Sequence, residues 1–200
     1  VLEPLAAARG LRILGVPGDE ADSLYERDAE PLNLGRIGLY QPWKPSMDEG
    51  WTRLVLETHG VPYTTLHAAD LKSGGLNDRF DVIVLPSVSA ATIRQGWGVN
   101  ETDPAYVGGP GREGQTHLRR FVRQGGRLVC LESSSEFAIS AFELPVIEVL
   151  RSLKSSEFYG PGSIFRAQVP ATARESSFAF LLDAVPDDPT VYFSRSLAFV

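Results

Sequence analysis

A chain of 200 residues with 43% hydrophobic and 22% charged side chains carries enough apolar material for an ordinary core and needs no covalent staples to fold. Its formal charge of −6, with no basic run beyond Arg119-Arg120-x-x-Arg123, argues against nucleic-acid binding, whose footprint is a basic patch. A single cysteine excludes an internal disulfide and a Cys-rich zinc site, and no apolar run approaches the roughly 18 residues of a membrane span.

The opening "VLEPLAAARG" has no initiator Met, charged leader or cleavage pattern and reads as the interior of a longer polypeptide. Residues 2–9 predict a short helix ended by Gly10, "LRILGV" (11–16) a strand, and the Pro-, Gly- and acid-rich stretch 17–35 a linker. Residues 1–34 are therefore expected to be the tail of an upstream region, and 35–200 one domain.

From Arg36 the pattern is regular. "RIGLYQ" (36–41) predicts a strand, and "SMDEGWTRLVLETHG" (46–60) a helix opened by a capping box of Ser46 and Glu49. Trp51, Leu54, Val55 and Thr58 recur at helical spacing and predict one buried stripe. "PYTTLH" (62–67) is a second strand, "LKSGGLNDRF" a loop or short helix, and "DVIVLP" (81–86) an apolar run suited to burial on both faces of a parallel sheet. A loop of unusual length follows over 94–112, with Trp97 and Tyr106 as its natural anchors. "EGQTHLRRFVRQGG" (113–126) predicts a helix with Leu118, Phe121 and Val122 inward and a Gly-Gly C-terminal cap. "RLVCLE" (127–132) is the fourth strand, and Ser133 with Glu136 forms a capping box for a helix carrying Phe137, Ile139, Ala141 and Phe142. "SIFRAQV" (163–169) and "TVYFSRSLAF" (190–199) predict strands of an antiparallel edge. Alternation of strand and helix implies an α/β fold with a flavodoxin-like, doubly wound, mostly parallel sheet.

Ligands of such sheets sit beyond the carboxyl ends of the strands, here at Gln41–Trp43, His67, Pro86–Ser89 and Glu132–Ser133. Cys130 lies in mid-strand between Val129 and Leu131, where apolar surroundings suppress the thiolate, and it reads as core. Ser133 is nearer the strand-to-helix turn but serves as a helix cap, and a serine nucleophile also needs a histidine base. Cys130 and Ser133 are thus the weak catalytic candidates. Glu132, at a strand end near helix amides, can accept a ligand. "GPGREG" (109–114) matches the dinucleotide fingerprint G-x-G-x-x-G, but no buried strand precedes it, and a Gly-rich helix start explains it better. His67-Ala-Ala-Asp70 offers two metal ligands, too few for a zinc site.

"GRIGLYQPWKPSMDEGWTRLVLE", "FDVIVLPS", "YVGGPGREGQTHLRRFVRQGGRLVCLE" and "FYGPGSIFRAQV…VYFSRSLAF" together resemble the C-terminal region of bacterial zinc carboxypeptidase-like proteins, a class I glutamine amidotransferase-like domain. The resemblance runs over about residues 34–200 and is most specific in "LYQPW…SMDEGWTR". It implies a flavodoxin-like sheet, an exported parent protein, zinc in an upstream peptidase domain, and that domain of the same polypeptide as partner. In active members of the amidotransferase class, the strand after the Gly-Gly turn ends in a nucleophilic Cys, and a His-x-Glu pair follows the last strand. Counted from Gly125-Gly126, the nucleophile's place falls here at Glu132, and no His-x-Glu pair or zinc motif occurs. A final strand and glycine-rich closing motif are also expected after "SRSLAF". The resemblance therefore implies a catalytically silent accessory domain that packs, presents substrate or binds a peptide or small molecule, with no cofactor of its own. Trp43, Ser46, Asp48, Ser87, Glu132 and Ser133 are the ligand-binding candidates. The rivals are an active hydrolase or amidotransferase using Cys130 or Ser133, and a nucleotide or flavin module using residues 109–114.

Overall fold

The computed structural model describes residues 35–150, 152–176, 179–182, 185–194 and 196–200. The helix, strand and linker expected over residues 1–34 lie outside them. The described residues belong to two compact units, one spanning Asn33–Leu153 with Ser196–Val200, the other Lys154–Arg195.

In the larger unit the chain alternates as expected: β1 (Ile37–Tyr40), α1 (Met47–Thr58), β2 (Thr64–Leu66), α2 (Ala68–Ser73), α3 (Leu76–Arg79), β3 (Val82–Leu85), α4 (Ala90–Gln95), α5 (Gly111–Arg123), β4 (Arg127–Cys130) and α6 (Ser135–Phe142). The strands form one sheet in the order β2-β1-β3-β4. Every pair is parallel, with Gly38 opposite Thr64 and Ile83, and Leu85 opposite Cys130. This is a mixed α/β, flavodoxin-like arrangement. The short helix α4, which begins where Ser89 accepts the Thr92 amide at 3.2 Å, was not expected; its six residues carry too little apolar period to be read.

Side chains alternate across a strand, and the two faces are covered unequally. Ile83 and Leu85 of β3, with Leu66, meet Leu71 of α2, Leu118 and Phe121 of α5, and Phe137 of α6 in one buried core. Val82 and Val84, on the other face, are only half-buried. The expectation that 81–86 is buried on both faces is thus corrected: on that side Val84 lines an open groove beside α1.

Helix α1 also turns the opposite way from its apolar pattern. Trp51 is 59% exposed, Val55 56% and Leu54 49%, while Glu49 is buried. The expected stripe exists, but it is not buried. Glu49 is ion-paired with Arg53, whose guanidinium also donates to Tyr63 Oη at 2.8 Å and Thr65 Oγ1 at 3.2 Å. These bonds draw the polar side of the helix toward β2. Of the expected capping box only half forms: Ser46 Oγ accepts the Glu49 amide at 3.1 Å, and the Glu49 carboxylate is engaged with Arg53 instead.

At the sheet's amino end, Arg36 reaches the Asp81 carboxylate through its backbone amide (2.7 Å), Nε (3.1 Å) and an Nη (2.8 Å), joining the starts of β1 and β3. The Gly125-Gly126 cap forms as expected. Gly125 has φ +94, and a Cβ on Gly126 would fall 2.4 Å from the Phe121 ring.

In the smaller unit β5 (Pro161–Arg166) pairs antiparallel with β6 (Thr190–Ser194), Ile164 opposite Tyr192. The antiparallel expectation near the C-terminus holds for these strands. Phe193 meets Phe158 and Phe165 edge-on at 5.6 Å. At the end of the short helix α7 (Ala171–Arg174), Arg174 donates to Asp187 at 2.9 Å and to the Leu182 and Val185 carbonyls at 3.0 and 2.6 Å.

Candidate functional site

The chain leaves β4 at Cys130, stays extended at Leu131 and turns sharply at Glu132, whose φ is +45. A non-glycine residue held in left-handed backbone at a strand-to-helix turn is the geometry of a nucleophile elbow, and such strain concentrates at functional sites. Here the exposed tip carries a carboxylate. Glu132 Oε2 accepts from Ser87 Oγ at 2.8 Å and from both the amide and hydroxyl of Ser133. The turn is pinned from beneath. Leu131 N–H donates to Leu85 O at 3.0 Å, and the fully buried Ser134 hydroxyl lies 3.0 Å from Leu85 O and 2.9 Å from Leu131 O.

That wiring corrects the reading of Ser133 as the N-cap. Helix α6 starts at Ser135, after a 3-10 turn over Glu132–Ser134. Of the adjacent serines, Ser134 is the one bonded to the end of β3, and Ser133 Oγ is left to donate to Glu132.

Cys130 is half-buried and packs against the core beside Leu128. Burial pushes its thiol up to about 12, with the Ser134 hydrogen bond opposing. All histidines are described and none hydrogen-bonds Cys130 or Ser133. His67 Nδ1 lies 2.9 Å from Gln41 O and His117 Nδ1 3.0 Å from Leu71 O, while His59 caps the C-terminus of α1. Among the described residues no cluster of three potential metal ligands occurs.

Beyond β1 and β2 stands a separate aromatic group. The Trp43 ring stacks on His67 with centroids 3.9 Å apart and planes within 9°, and Tyr106 leans on Trp43 at 4.7 Å. Trp97 Nε1 donates to Trp43 O at 3.0 Å. Lys44 lies over Trp97 at 4.8 Å and pairs with Glu101 at 3.7 Å. Trp97 and Tyr106 therefore do anchor the long loop, which also holds a 3-10 turn over Pro104–Tyr106 and bridges from Trp97 to Val107 and Gly108. The Gly109–Gly114 pattern has a packing cause. A Cβ on Gly109 would lie 2.5 Å from Arg94 O, and one on Gly114 would lie 2.4 Å from Pro110 Cβ.

A groove of about 460 Å³ runs beside the elbow, lined by Trp51, Val55 and Leu56 of α1, by Val84 and Leu131, and by the polar Asp48, Thr52 and Ser87. Its size suits a small ligand or one or two side chains. Comparison with family models, curated proteins and solved structures finds no match for the chain.

The structure brings three sequence candidates, Ser87, Glu132 and Ser133, into one hydrogen-bonded group. Asp48 shares the groove with Ser87. Ser46 is taken up by its own helix, and Trp43 belongs to the aromatic group. Sequence reasoning missed Trp51, Val55 and Leu131 as site residues because apolar residues at helical or strand spacing read first as core.

Proposed function

We propose that this is a catalytically silent, amidotransferase-like accessory domain. The observation that carries the proposal is Glu132, a carboxylate on a left-handed elbow at the place of a nucleophile. A carboxylate held by Ser87 and two Ser133 donors is built to accept hydrogen bonds or a cation, and no histidine is bonded to either nucleophile candidate. The thiol nearest the elbow is a proton-holding core residue. The resemblance in "LYQPW…SMDEGWTR" supports a role beside a zinc metallocarboxypeptidase, whose zinc would lie in the peptidase domain, and the outward apolar face of α1 supports packing or substrate presentation as that role.

The test is covalent labelling of the native chain with iodoacetamide and with the glutamine analogue 6-diazo-5-oxo-L-norleucine across pH 5 to 9, read by intact mass. The proposal expects Cys130 to stay unmodified until denaturant is added. Rapid labelling of Cys130 with an apparent pKa well below about 8.5 would return an activated thiolate and end the silent-domain reading.

A further inference from the structure

We infer that the groove beside the elbow is a docking site for a basic polypeptide segment of a partner protein, with an apolar side chain as its anchor. Amphipathic helices of globular proteins turn their apolar stripe inward. Helix α1 does the reverse, leaving Trp51 59% and Val55 56% exposed beside Leu131 at 38%. These three side chains, with Leu56 and Val84, make the apolar wall of the groove. An exposed tryptophan beside a concave apolar surface is the composition of a binding hot spot rather than of a solvated face.

The charge of the rim selects the occupant. Asp48 and Ser87 both line the groove, and Ser87 leads at 2.8 Å to the Glu132 carboxylate. Among the described residues, no basic side chain lines the groove. Arg53 of α1 and Lys44 just before that helix are engaged elsewhere, by Glu49 and Glu101 respectively. Neither Asp48 nor Glu132 has an ion-pair partner among the described residues. A second copy of this chain would bring acid against acid, which disfavours a self-complementary pairing. A segment with an apolar anchor flanked by Lys or Arg fills the wall and meets both carboxylates. This inference rests on the reading of the elbow as a binding group, and deepens it by naming the partner's chemistry.

The experiment measures fluorescence anisotropy of a labelled Leu/Lys amphipathic peptide with the full chain, beside Leu/Glu and Ser/Lys peptides of equal length. Saturable binding is expected for the Leu/Lys peptide alone. It should weaken about tenfold in Asp48→Asn/Glu132→Gln and again in Trp51→Ala. A charge-matched control at residues of the same unit that do not line the groove, Asp78→Asn/Glu113→Gln, should bind as the parent does. Circular dichroism melts establish that each variant is folded. Equal binding by the Leu/Glu or Ser/Lys peptide, or unchanged binding in the groove variants, overturns the proposal. So does a dimer in light scattering that Val55→Glu dissolves, because the occupant is then a second copy. Loss of docking with Cys130 still inert leaves the silent-domain reading standing. Docking together with a reactive Cys130 removes the silent-domain reading and keeps the groove.

Discussion

Replacing Glu132 by glycine and by alanine separates the strained backbone of the elbow from the carboxylate it carries. Both variants lose the carboxylate and its bonds to Ser87 and Ser133, so their difference reports the backbone alone. At an ordinary position glycine is less stable than alanine by about 0.5–1 kcal/mol, because its unfolded chain has more freedom to lose. At Glu132 the backbone sits at φ +45, where an L-residue pays about 1–2 kcal/mol that glycine does not. The sign should therefore invert, with the glycine variant more stable than the alanine variant by ~1 kcal/mol. For a chain of this size that is about 2–4 °C in midpoint. Tryptophan fluorescence is the suitable probe, because Trp43, Trp51 and Trp97 all lie in the unit that contains the elbow. An alanine variant equal to or more stable than the glycine variant would refute the strained elbow, and with it the reading of Glu132 as standing in a nucleophile's place.

Three further outcomes follow from the same geometry. Arg36 holds the Asp81 carboxyl down to about 2, below its ordinary value of about 3.9. The ionised form is favoured by the fold, so its contribution is complete above about pH 4 and is lost as pH falls through about 2. Asp81→Asn should flatten the acid limb of the stability curve over that interval; an unchanged limb counts against the Arg36 clamp. Gly109→Ala places a Cβ 2.5 Å from a backbone carbonyl of α4 and should cost roughly 1–3 kcal/mol in a denaturant melt, whereas a phosphate-binding role would predict altered nucleotide affinity at parent stability. Ser134→Ala removes the buried hydroxyl bonded to Leu85 O and Leu131 O and should cost about 1 kcal/mol by the same melt, with no loss expected if Ser133 were the structural serine.

The fold was legible where the chain repeats a period. Short apolar runs ending at Pro42, Pro86 and the serine cluster mark parallel strands because their side chains face helices, and the Gly125-Gly126 cap fixes where α5 ends. What escaped was decided by partners distant in sequence. Nothing in "DEGWTRLVLET" shows that Arg53 will bond Tyr63 and Thr65 and so turn the polar face of α1 inward. The apolar spacing correctly predicts a helix, but not which side it buries. The three serines after Glu132 are equivalent in sequence, and only the placement of Leu85 O distinguishes Ser134 from Ser133. The position of Glu132 could be counted from the Gly-Gly turn, but its left-handed backbone and its bond to Ser87 required β3 and β4 to be set side by side.

The most direct measurement is ammonia release from L-glutamine by the native chain, with Cys130→Ser and Ser133→Ala as controls. A carboxylate elbow, a half-buried thiol held protonated and no bonded histidine predict release no faster than in buffer for all three proteins. Release by the parent that either substitution abolishes would show a working nucleophile and contradict the account.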